Sequence, residues 1–589
     1  MKQTCFLKHK QKINKIKNMG IPSYFKKINF IMMKTLIIFL ITTIMLSGCN
    51  NLNINKSERQ FKKFLTQFES KYKNLEKEAN FAAYKASVSG NEDDYKKSAD
   101  LSLQIAKLFQ DSISFLKLKN WKNLGLIKDE LLTRQLDLLY NHFLEYQGNK
   151  DTIQKIILKS NELEQKFSTY RAVVDGNYVS DNYIDSILKN STNSEELKKV
   201  WLASKQIGKE VAADVIQLVK LKNSVAKELG FSNYYEMTLK LNEQDPSELE
   251  AFFNELDSLT SKTFVQLKAE IDDYLSKRLK ISKNALMPWH YQNRFFQEGI
   301  EIGNVNLDKY YNDKDIVKVS ADFYRGIDLP VDSILKNSDL FEKAGKNQHA
   351  FCMDMDRSGD VRILANVRND AYWMNTMLHE LGHGVYDKYK DFSLPYFLRQ
   401  PAHTFTTEAV AIFFGSLASN PQWIQDNIGI SESEKENIAK IINKNLQIEK
   451  LVFSRWCQVV FRFEKAMFEN PDQDLNILWW NMVEKYQLLK RPENRNEPDW
   501  ASKIHIALYQ AYYHNYLLGD VLASQINNYI NTNILNQQEK SISNNKRVGE
   551  YFVKNIFYPA AKYNWNTMIE KATGEKLTSK YFAAQFINN

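Results

Sequence analysis

Helical periodicity dominates the pattern of hydrophobic and polar positions along this chain. From about residue 59 onward, apolar side chains recur every three or four positions, so they fall on one face of an α-helix. Examples are Phe61, Leu65, Phe68 and Tyr72, and then Leu101, Ile105, Leu108 and Phe109. The same spacing predicts helices over residues 440–470 and 475–489. The pattern therefore indicates a mainly all-α protein.

Two kinds of signal interrupt the helical pattern. One helix is predicted to end at the loop Gly230-Phe-Ser-Asn233, and another to begin at Asp245-Pro-Ser-Glu, which has good capping chemistry. The segment Asp360-Val-Arg-Ile-Leu-Ala-Asn-Val-Arg368 is short and β-branched, which predicts a β-strand. Such a strand can be a hairpin arm or can pair with an extended substrate backbone, and the sequence allows both.

The composition favours one large domain. Glycine and proline are scarce for this length, at 20 and 11 residues, which is typical of long helices with few tight turns. The sequence contains no fixed-period repeat, no low-complexity block and no long linker rich in proline, glycine or serine. We therefore expect a leader at residues 1–48, a short polar tether at 49–57 and a single domain over 58–589.

The net positive charge belongs to the leader. Residues 1–48 contain nine lysines and no other charged residue, which accounts for the whole net charge of +9. Because the remaining chain has no net charge, we expect no nucleic-acid partner. The apolar run from Leu36 to Leu46 is too short to span a bilayer and is typical of a secretory signal. Translation can begin at Met1, Met32 or Met33.

The leader ends in Leu46-Ser-Gly-Cys49, which resembles a bacterial lipoprotein signal. The resemblance implies that Cys49 is lipidated, that it becomes the mature N-terminus, and that the protein is anchored in the cell envelope of a bacterium. An ordinary secretory signal followed by an unrelated cysteine is the alternative. Beyond Cys49 only Cys352 and Cys457 remain, so we expect no disulfide framework.

The strongest chemical signal is His379-Glu-Leu-Gly-His383. On a helix, positions i and i+4 share one face, so both imidazoles can reach one metal ion. Glu380 lies beside them, where it can take a proton from water. This arrangement is typical of zinc peptidases. The alternative is a surface helix that carries two histidines by chance.

A catalytic zinc usually takes three protein ligands and leaves a fourth position for water. Glu408 is the candidate for the third ligand, because Thr406 or Thr407 can cap a helix whose first turn carries it. Turn-forming residues at 391–395 would allow this helix to lie antiparallel to the metal-binding helix. His403 is a rival ligand that we rank lower, because it precedes the predicted helix.

Other short segments surround these candidate ligands in a fixed order from about residue 230 to 530. They are Gln348-His-Ala350, Tyr389-Lys-Asp391, Leu394-Pro395, Leu398-Arg399, Glu408-Ala409, Trp479-Trp480, Lys485-Tyr-Gln487, Lys503-Ile-His-Ile506 and Tyr513-His-Asn-Tyr516. In combination they resemble the peptidyl dipeptidases that are similar to angiotensin-converting enzyme. The last segment and Gly519 also resemble the thimet-type oligopeptidases. The chain is similar to both families and closer to the first.

The resemblance implies a largely helical, two-lobed body whose deep central cleft holds one zinc ion. It implies that His505 and Tyr516 hydrogen-bond the tetrahedral oxyanion. The family often has an aspartate four residues after the glutamate ligand, where this chain has Ile412, so the support of the metal ligands must differ. Asn515 occupies the position of an arginine that is linked to chloride, which argues against activation by chloride.

The resemblance also implies a set of substrate-binding residues. Lys503, Tyr513 and Gln297 would hold the C-terminal carboxylate of the substrate, while His349 and Ala350 would contact the peptide backbone near the scissile bond. A shift of one residue in the tyrosine pair leaves Tyr512 as a rival to Tyr513. The remaining histidines are expected to be satisfied core residues, and they are His142, His290, His403 and His514.

These observations predict a zinc-dependent peptidase that releases C-terminal dipeptides from oligopeptides. Glu380 would act as general base and acid, and Lys503 would select substrates with a free C-terminus. The alternatives are an oligoendopeptidase of the same fold and a lipid-anchored peptide-binding protein without catalysis. We expect a monomer whose partners are oligopeptides and, through Cys49, the membrane.

Overall fold

A computed structural model describes residues 23–300, 302, 306–347, 349–535 and 541–587. For residues 23–33, 36–52, 168, 169 and 587 only the backbone is described. The predicted leader therefore lies partly outside the described residues. The side chain of Cys49 lies outside them as well, and its lipidation stays a prediction.

The described chain is mainly helical, which confirms the predicted fold class. The α-helices are α1 Ser23–Ser89, α2 Glu92–Phe109, α3 Ser112–Leu124, α4 Glu130–Glu145, α5 Lys150–Thr169, α6 Asp181–Asn190, α7 Ser194–Glu228, α8 Tyr234–Leu241, α9 Pro246–Leu279, α10 Ile316–Gly326, α11 Asp332–Asn337, α12 Ala371–Lys388, α13 Thr404–Gly415, α14 Pro421–Ile428, α15 Glu432–Glu469, α16 Leu475–Gln487, α17 Ile504–Leu508, α18 His514–Tyr529, α19 Lys546–Phe552, α20 Trp565–Thr573 and α21 Lys580–Ile587. Short 3-10 and π turns connect several of them.

Two antiparallel hairpins complete the secondary structure of the described residues. Strand β1 (Ala172–Val174) pairs with β2 (Asn177–Val179), and β3 (Phe351–Asp354) pairs with β4 (Val361–Leu364). In the second hairpin Phe351 lies opposite Leu364. The predicted strand at 360–368 is thus β4, but its partner β3 was not predicted.

The position of β4 corrects one prediction. One edge of β4 pairs with β3, and the other edge is occupied by residues 338–340: Asp339 N–H donates to Ile363 O over 3.0 Å, and Ala365 N–H donates to Asp339 O over 2.9 Å. Because both edges of β4 are filled, it serves as a hairpin arm and has no edge left to pair with a substrate backbone. If a substrate pairs with this hairpin, it must do so along β3.

The chain divides into two compact units, one comprising residues up to 67 with 120–133 and the other comprising 68–119 with 134–589. In the first unit the Phe61 and Phe64 rings pack on Trp121, and the Glu58 carboxylate accepts from the N–H groups of residues 128 and 129. Among the described residues, no helix is long and apolar enough to cross a membrane. The predicted single domain over 58–589 and its two lobes stay predictions.

Capping residues begin the helices of the second unit much as their sequences predict. Asn233 caps α8 by accepting from Glu236 N–H, after the chain has turned through Gly230 with φ +90°. Asp245 caps α9 by accepting from the backbone N–H groups of residues 247 and 248, with proline as the first helical residue. The predicted helix end before the loop at 230–233 and the predicted helix start at Asp245 are both confirmed.

Three helices that carry candidate site residues pack closely in this unit: α12, α13 and α18. Glycine allows their close approach. A Cβ atom on Gly382 of α12 would lie 2.8 Å from the Ala411 Cα of α13, and one on Gly519 of α18 would lie 3.1 Å from the Glu408 Cγ. A larger residue at 382 would push the backbones of α12 and α13 apart, and one at 519 would displace the Glu408 side chain.

Candidate metal and catalytic site

Two imidazoles and a carboxylate form a candidate metal centre between α12 and α13. One ligand atom from each of His379, His383 and Glu408 lies within 4.8 Å of the other two. His379 Nε2 is 3.7 Å from Glu408 Oε1, and His383 Nε2 is 3.6 Å from Glu408 Oε2. The sequence predicted these three residues as ligands, and the structure brings them together. Two imidazoles and one carboxylate form a common ligand set of catalytic zinc.

The charge states of the three groups fit a divalent cation. Burial lowers the pKa of His379 to about 3 and that of His383 to about 4, so both imidazoles are neutral and have a free lone pair at neutral pH. Burial raises the pKa of Glu408 to about 7, and among the residues that the structure describes no cation offsets this effect. A metal ion held here would supply the missing positive charge.

The start of α13 differs from the prediction. His403, not Thr406 or Thr407, is the N-cap residue: its Nδ1 accepts from Phe405 N–H over 3.2 Å. The helix begins at Thr404, so Glu408 lies on its second turn. Because the His403 ring is used in capping and lies outside the metal-binding group, it is not a rival ligand.

Thr407 supplies the support that Ile412 cannot give. Its Oγ1 lies 2.8 Å from His383 Nδ1, on the opposite side of the ring from the nitrogen that faces Glu408. With Nε2 free for a metal, Nδ1 carries the proton and donates to the threonine hydroxyl. Sequence reasoning missed this residue. The only signal in the sequence was that Thr407 directly precedes the candidate ligand Glu408. The packing of α13 on α12 brings its hydroxyl to His383.

Glu380 is suited to hold and release a proton. Burial raises its pKa to about 8, with a further contribution from the negative charge of Glu408, while the Cys352 N–H of β3 acts in the opposite direction. Strand β3 therefore lies along α12 beside the proposed base. Bound metal would lower this pKa, leaving Glu380 near the range in which a carboxylate exchanges protons at neutral pH.

The side chains of His505 and Tyr516, which the resemblance names as oxyanion donors, lie close to each other. Their ring centroids are 6.4 Å apart, and the Tyr513 ring lies 5.0 Å from His505 and 5.3 Å from Tyr516. Burial lowers the pKa of His505 to about 4, so its imidazole is neutral. Burial, and then Glu408, raise the pKa of Tyr516, which keeps its hydroxyl protonated as a hydrogen-bond donor.

Lys503, Gln297 and Tyr513 form a second cluster next to these donors. Lys503 Nζ donates to Gln297 Oε1 over 2.5 Å and lies 5.5 Å from the centre of the Tyr513 ring. Burial lowers the pKa of Lys503 to about 8. Tyr512, the rival of Tyr513, lies instead beside Tyr516, with ring centroids 5.5 Å apart. The geometry therefore groups Tyr513, rather than Tyr512, with the lysine.

His349 and Ala350 immediately precede β3. His349 is exposed, Ala350 is half-buried, and the His349 N–H donates to Asn347 Oδ1 over 2.9 Å. They therefore stand at the start of the strand whose Cys352 reaches Glu380. Gln348, part of the same predicted motif, lies outside the described residues.

The other histidines separate into two groups. His290 accepts from Met287 N–H over 2.9 Å and bonds the Ser194 hydroxyl over 2.8 Å, and His514 bonds Gln244 over 2.8 Å. Both are buried, as predicted. His142 differs from its prediction, because its ring is exposed and lines a cavity.

Asn515 belongs to a buried hydrogen-bond network of uncharged side chains. Its Oδ1 accepts from Gln244 Nε2 over 2.9 Å, and the same glutamine bonds His514. Burial lowers the pKa of His514 to about 3, so this buried network is uncharged at neutral pH.

Comparisons with known proteins agree with the resemblance read from the sequence. A family model described as angiotensin-converting enzyme matches residues 55–586. The angiotensin-converting enzyme of Theromyzon tessulatum is 21% identical over 531 residues, which cover 83% of this chain and 84% of that protein. The angiotensin-converting enzyme of Rattus norvegicus is 21% identical over 397 residues, which cover 60% of this chain and 30% of that protein.

A similar protein of Caenorhabditis elegans is described as an inactive angiotensin-converting enzyme-related protein. It is 20% identical over 370 residues, which cover 56% of this chain and 40% of that protein. The matched region thus spans less than half of the rat and nematode proteins. At these identities the comparisons support a peptidase with a metal site and leave the specific activity to be tested.

Proposed function

Because the chain belongs to the angiotensin-converting enzyme family, we propose that it is a zinc-dependent peptidase that releases dipeptides from the free C-terminus of oligopeptides. The observation that carries this proposal is the pairing of two neighbouring clusters. One contains the candidate ligands His379, His383 and Glu408. The other contains Lys503 and Gln297, within reach of Tyr513.

His379, His383 and Glu408 would hold the zinc ion. When bound, zinc polarises the scissile carbonyl and lowers the pKa of water in the site towards about 7. Glu380 then takes a proton from the attacking water and delivers it to the nitrogen of the leaving amine. The hydroxide adds to the carbonyl carbon first, and the C–N bond then breaks as the leaving nitrogen accepts the proton, which gives a carboxylic acid and an amine.

His505 and Tyr516 would stabilise the negative charge that develops on the carbonyl oxygen. The neutral imidazole offers one N–H and the protonated phenol one O–H, so both are donors at neutral pH. A well-placed donor of this kind is worth about 3–4 kcal/mol in the transition state. Their side chains lie next to each other, with ring centroids 6.4 Å apart.

Lys503 would set the position of cleavage. Its ammonium group is buried among the rings of Phe295, Trp456 and Tyr513, where a free carboxylate would meet a positive charge with little competition from water. An anchor for the C-terminal carboxylate fixes how far the scissile bond lies from the end of the peptide. This supports release of dipeptides rather than cleavage at arbitrary positions.

The Glu380→Gln variant tests the catalytic part of the proposal. Glutamine keeps the shape of the side chain and cannot accept the proton, so we expect zinc binding to remain while kcat falls by roughly 10²–10⁴-fold. Zinc content by mass spectrometry of the metal and hydrolysis of a quenched fluorescent peptide measure the two effects. Full activity of this variant would refute the role of Glu380.

An oligoendopeptidase of the same fold is the second candidate, supported by the resemblance of Tyr513-His-Asn-Tyr516 to the thimet type. Such an enzyme needs no free C-terminus. Equal rates on a peptide and on its C-terminally amidated form would favour it, whereas the proposed dipeptidase should stall on the amide.

A peptide-binding protein without catalysis is the third candidate, because one similar protein is described as inactive. The four residues that the proposed chemistry needs, His379, Glu380, His383 and Glu408, are all present here, which argues against it. Zinc and peptide binding without any cleavage of a peptide panel would favour it.

A lipid anchor at Cys49 and a place in the bacterial cell envelope complete the proposal. Metabolic labelling with a fatty-acid analogue should mark the natural chain and leave a Cys49→Ala variant unmarked. We further propose that the anchored protein is a monomer, which light scattering of the purified chain would check.

A further inference from the structure

A cavity of about 230 Å³ lies apart from the residues assigned above. It is enclosed by segments of α1, α2, α4 and α8, by the turn between β3 and β4, and by the chain before α13. Its wall combines aromatic side chains such as Tyr72 and Phe109 with polar and charged groups. The cavity thus has room for a side chain or chain terminus of a bound peptide.

One ion pair in the wall is fully satisfied. Arg357 Nη2 donates to Glu76 Oε1 over 2.6 Å, and the same carboxylate accepts from the hydroxyls of Tyr72 over 2.7 Å and Tyr396 over 2.5 Å. Arg357 and Glu76 therefore neutralise each other. The pair therefore adds no net charge beside the cavity, which Arg357 lines.

Three other polar side chains face the cavity without a protein partner. Glu145, His142 and Gln400 line it, and none makes a hydrogen bond or ion pair with any residue that the structure describes. Glu145 and His142 are both accessible to solvent, and desolvation by the protein around the cavity raises the pKa of Glu145 and lowers that of His142 to about 4, which leaves the imidazole neutral. The cavity therefore offers one unpaired carboxylate together with two neutral hydrogen-bonding groups.

Lys222 is the cation that acts on Glu145, but it is held elsewhere. Its Nζ donates to Gln510 Oε1 over 2.5 Å and lies 4.9 Å from the centre of the Tyr234 ring. It lowers the pKa of Glu145 only as the smaller of two effects, the larger being burial. A cation in the cavity would thus meet a carboxylate that no protein group occupies.

Three segments of the cavity wall continue along the chain into elements that carry site residues. Arg357 follows β3, whose Cys352 N–H reaches Glu380. Gln400 lies just before α13, which carries Glu408. Asn242 lies two residues before Gln244, whose side chain donates a hydrogen bond to Asn515, the residue before Tyr516.

A row of neighbouring residues leads from Lys503 to Tyr516. Lys503 lies on Tyr513, and Tyr513 packs on Tyr516. None of the residues that line the cavity belongs to this row. The cavity is therefore a candidate for the part of a peptide that the lysine does not hold, which is the N-terminal part.

We propose that this cavity binds a cationic group of the substrate, N-terminal to the scissile bond, through the carboxylate of Glu145, with the cation donating further hydrogen bonds to His142 and Gln400. The proposal rests on the proposed function, since it takes Lys503 as the anchor of the opposite end. Two sources supply the same chemistry: the ammonium of a lysine side chain and the N-terminal ammonium of a short peptide.

The test uses the full chain and a neutral peptide into which one lysine is moved stepwise along the N-terminal side of the scissile bond. Each lysine peptide is paired with its norleucine analogue, and each is made with a free and with an acetylated N-terminus. The variants are Glu145→Gln and, as a matched control on an exposed helical surface, Glu436→Gln. The measured quantity is the ratio of kcat/KM between the paired peptides.

We expect wild type and Glu436→Gln to favour the cation by roughly tenfold, the range of one charge-assisted hydrogen bond, and Glu145→Gln to bring the ratio near one. A preference that depends on lysine assigns the side chain, and one that acetylation abolishes assigns the N-terminus. A ratio near one in wild type, or the same ratio in Glu145→Gln and wild type, overturns the proposal.

Two further measurements keep the outcome clear. Calorimetric binding of the same peptides to Glu380→Gln, with and without Glu145→Gln, tests the cavity even if no peptide is cleaved, and so separates its failure from that of the proposed function. Glu145→Lys guards against a folding artefact, because it should reverse the preference toward peptides with glutamate at the same position. Retained preference for lysine in this variant contradicts the proposal.

Discussion

The hydrogen bond between Thr407 and His383 predicts that Thr407→Val weakens metal binding. The hydroxyl oxygen lies 2.8 Å from His383 Nδ1, while Nε2 of the same ring faces Glu408. Valine has nearly the shape of threonine and the same β-branching, so α13 should keep its geometry. The substitution therefore removes one acceptor from a candidate ligand and changes little else.

The size of the effect follows from what the ring loses. An N–H left without an acceptor in a buried site costs about 1–3 kcal/mol, and loss of the partner of a ligating histidine typically costs about 10–100-fold in metal affinity. Thr407 is half-buried, so water can replace part of the bond. We therefore expect the lower end of this range, about a tenfold increase in the Kd for zinc.

Competition with a chromophoric chelator at fixed pH measures this Kd. Thr407→Ser keeps the hydroxyl and should bind zinc nearly as wild type does. Thr404→Val makes the same chemical change on an exposed side chain of the same helix and serves as the control. If Thr407→Val binds zinc as tightly as the Thr404→Val control, the hydroxyl does not support the ligand and the reasoning is refuted.

Three further predictions concern packing, specificity and pH. In Gly382→Ala the new Cβ would lie 2.8 Å from the Cα of Ala411, so we expect the free energy of unfolding in urea to fall by about 1–3 kcal/mol and zinc to bind more weakly. An unchanged free energy of unfolding and an unchanged zinc affinity would contradict the close packing. Lys503→Met should raise KM roughly tenfold or more for peptides with a free C-terminal carboxylate and leave the rate on C-terminally amidated peptides unaltered. An equal effect on the two kinds of peptide would argue against a carboxylate anchor. Burial raises the pKa of Glu464 to about 8. The folded protein therefore keeps a proton on this carboxyl group that the unfolded chain loses near pH 4.5. Its contribution to the free energy of unfolding is complete below pH 4.5 and is lost as the pH rises through 8. Glu464→Gln should therefore flatten the fall in unfolding free energy between those limits by up to about 1.4 kcal/mol per pH unit, whereas Glu436→Gln should not; equal slopes would contradict the raised pKa.

The ligands could be predicted from the sequence because they depend on local geometry. His379 and His383 are four residues apart on one helix, so any helix that includes them puts both on one face. Glu408 could be predicted as the third ligand because the apolar run after it indicates a second buried helix. The cap of that helix was wrongly predicted, since a histidine side chain took the place that threonine usually fills.

Residues that act through tertiary packing could not be predicted from the sequence. Thr407 meets His383 only because Gly382 lets α13 approach α12 closely. Strand β3 gives no strong periodic signal in Phe-Cys-Met-Asp and is defined by pairing with β4. His142 was expected in a satisfied core, but the meeting of segments far apart in the chain leaves it in a cavity wall.

Product analysis of a single unmodified decapeptide tests the central claim most directly. Mass spectrometry over a time course, with zinc present, should show the intact peptide losing two residues at a time from its C-terminus, with the matching dipeptides in solution. Internal fragments, or shortening from the N-terminus, would contradict the account, because an anchor at Lys503 requires that every cut be counted from the free carboxylate.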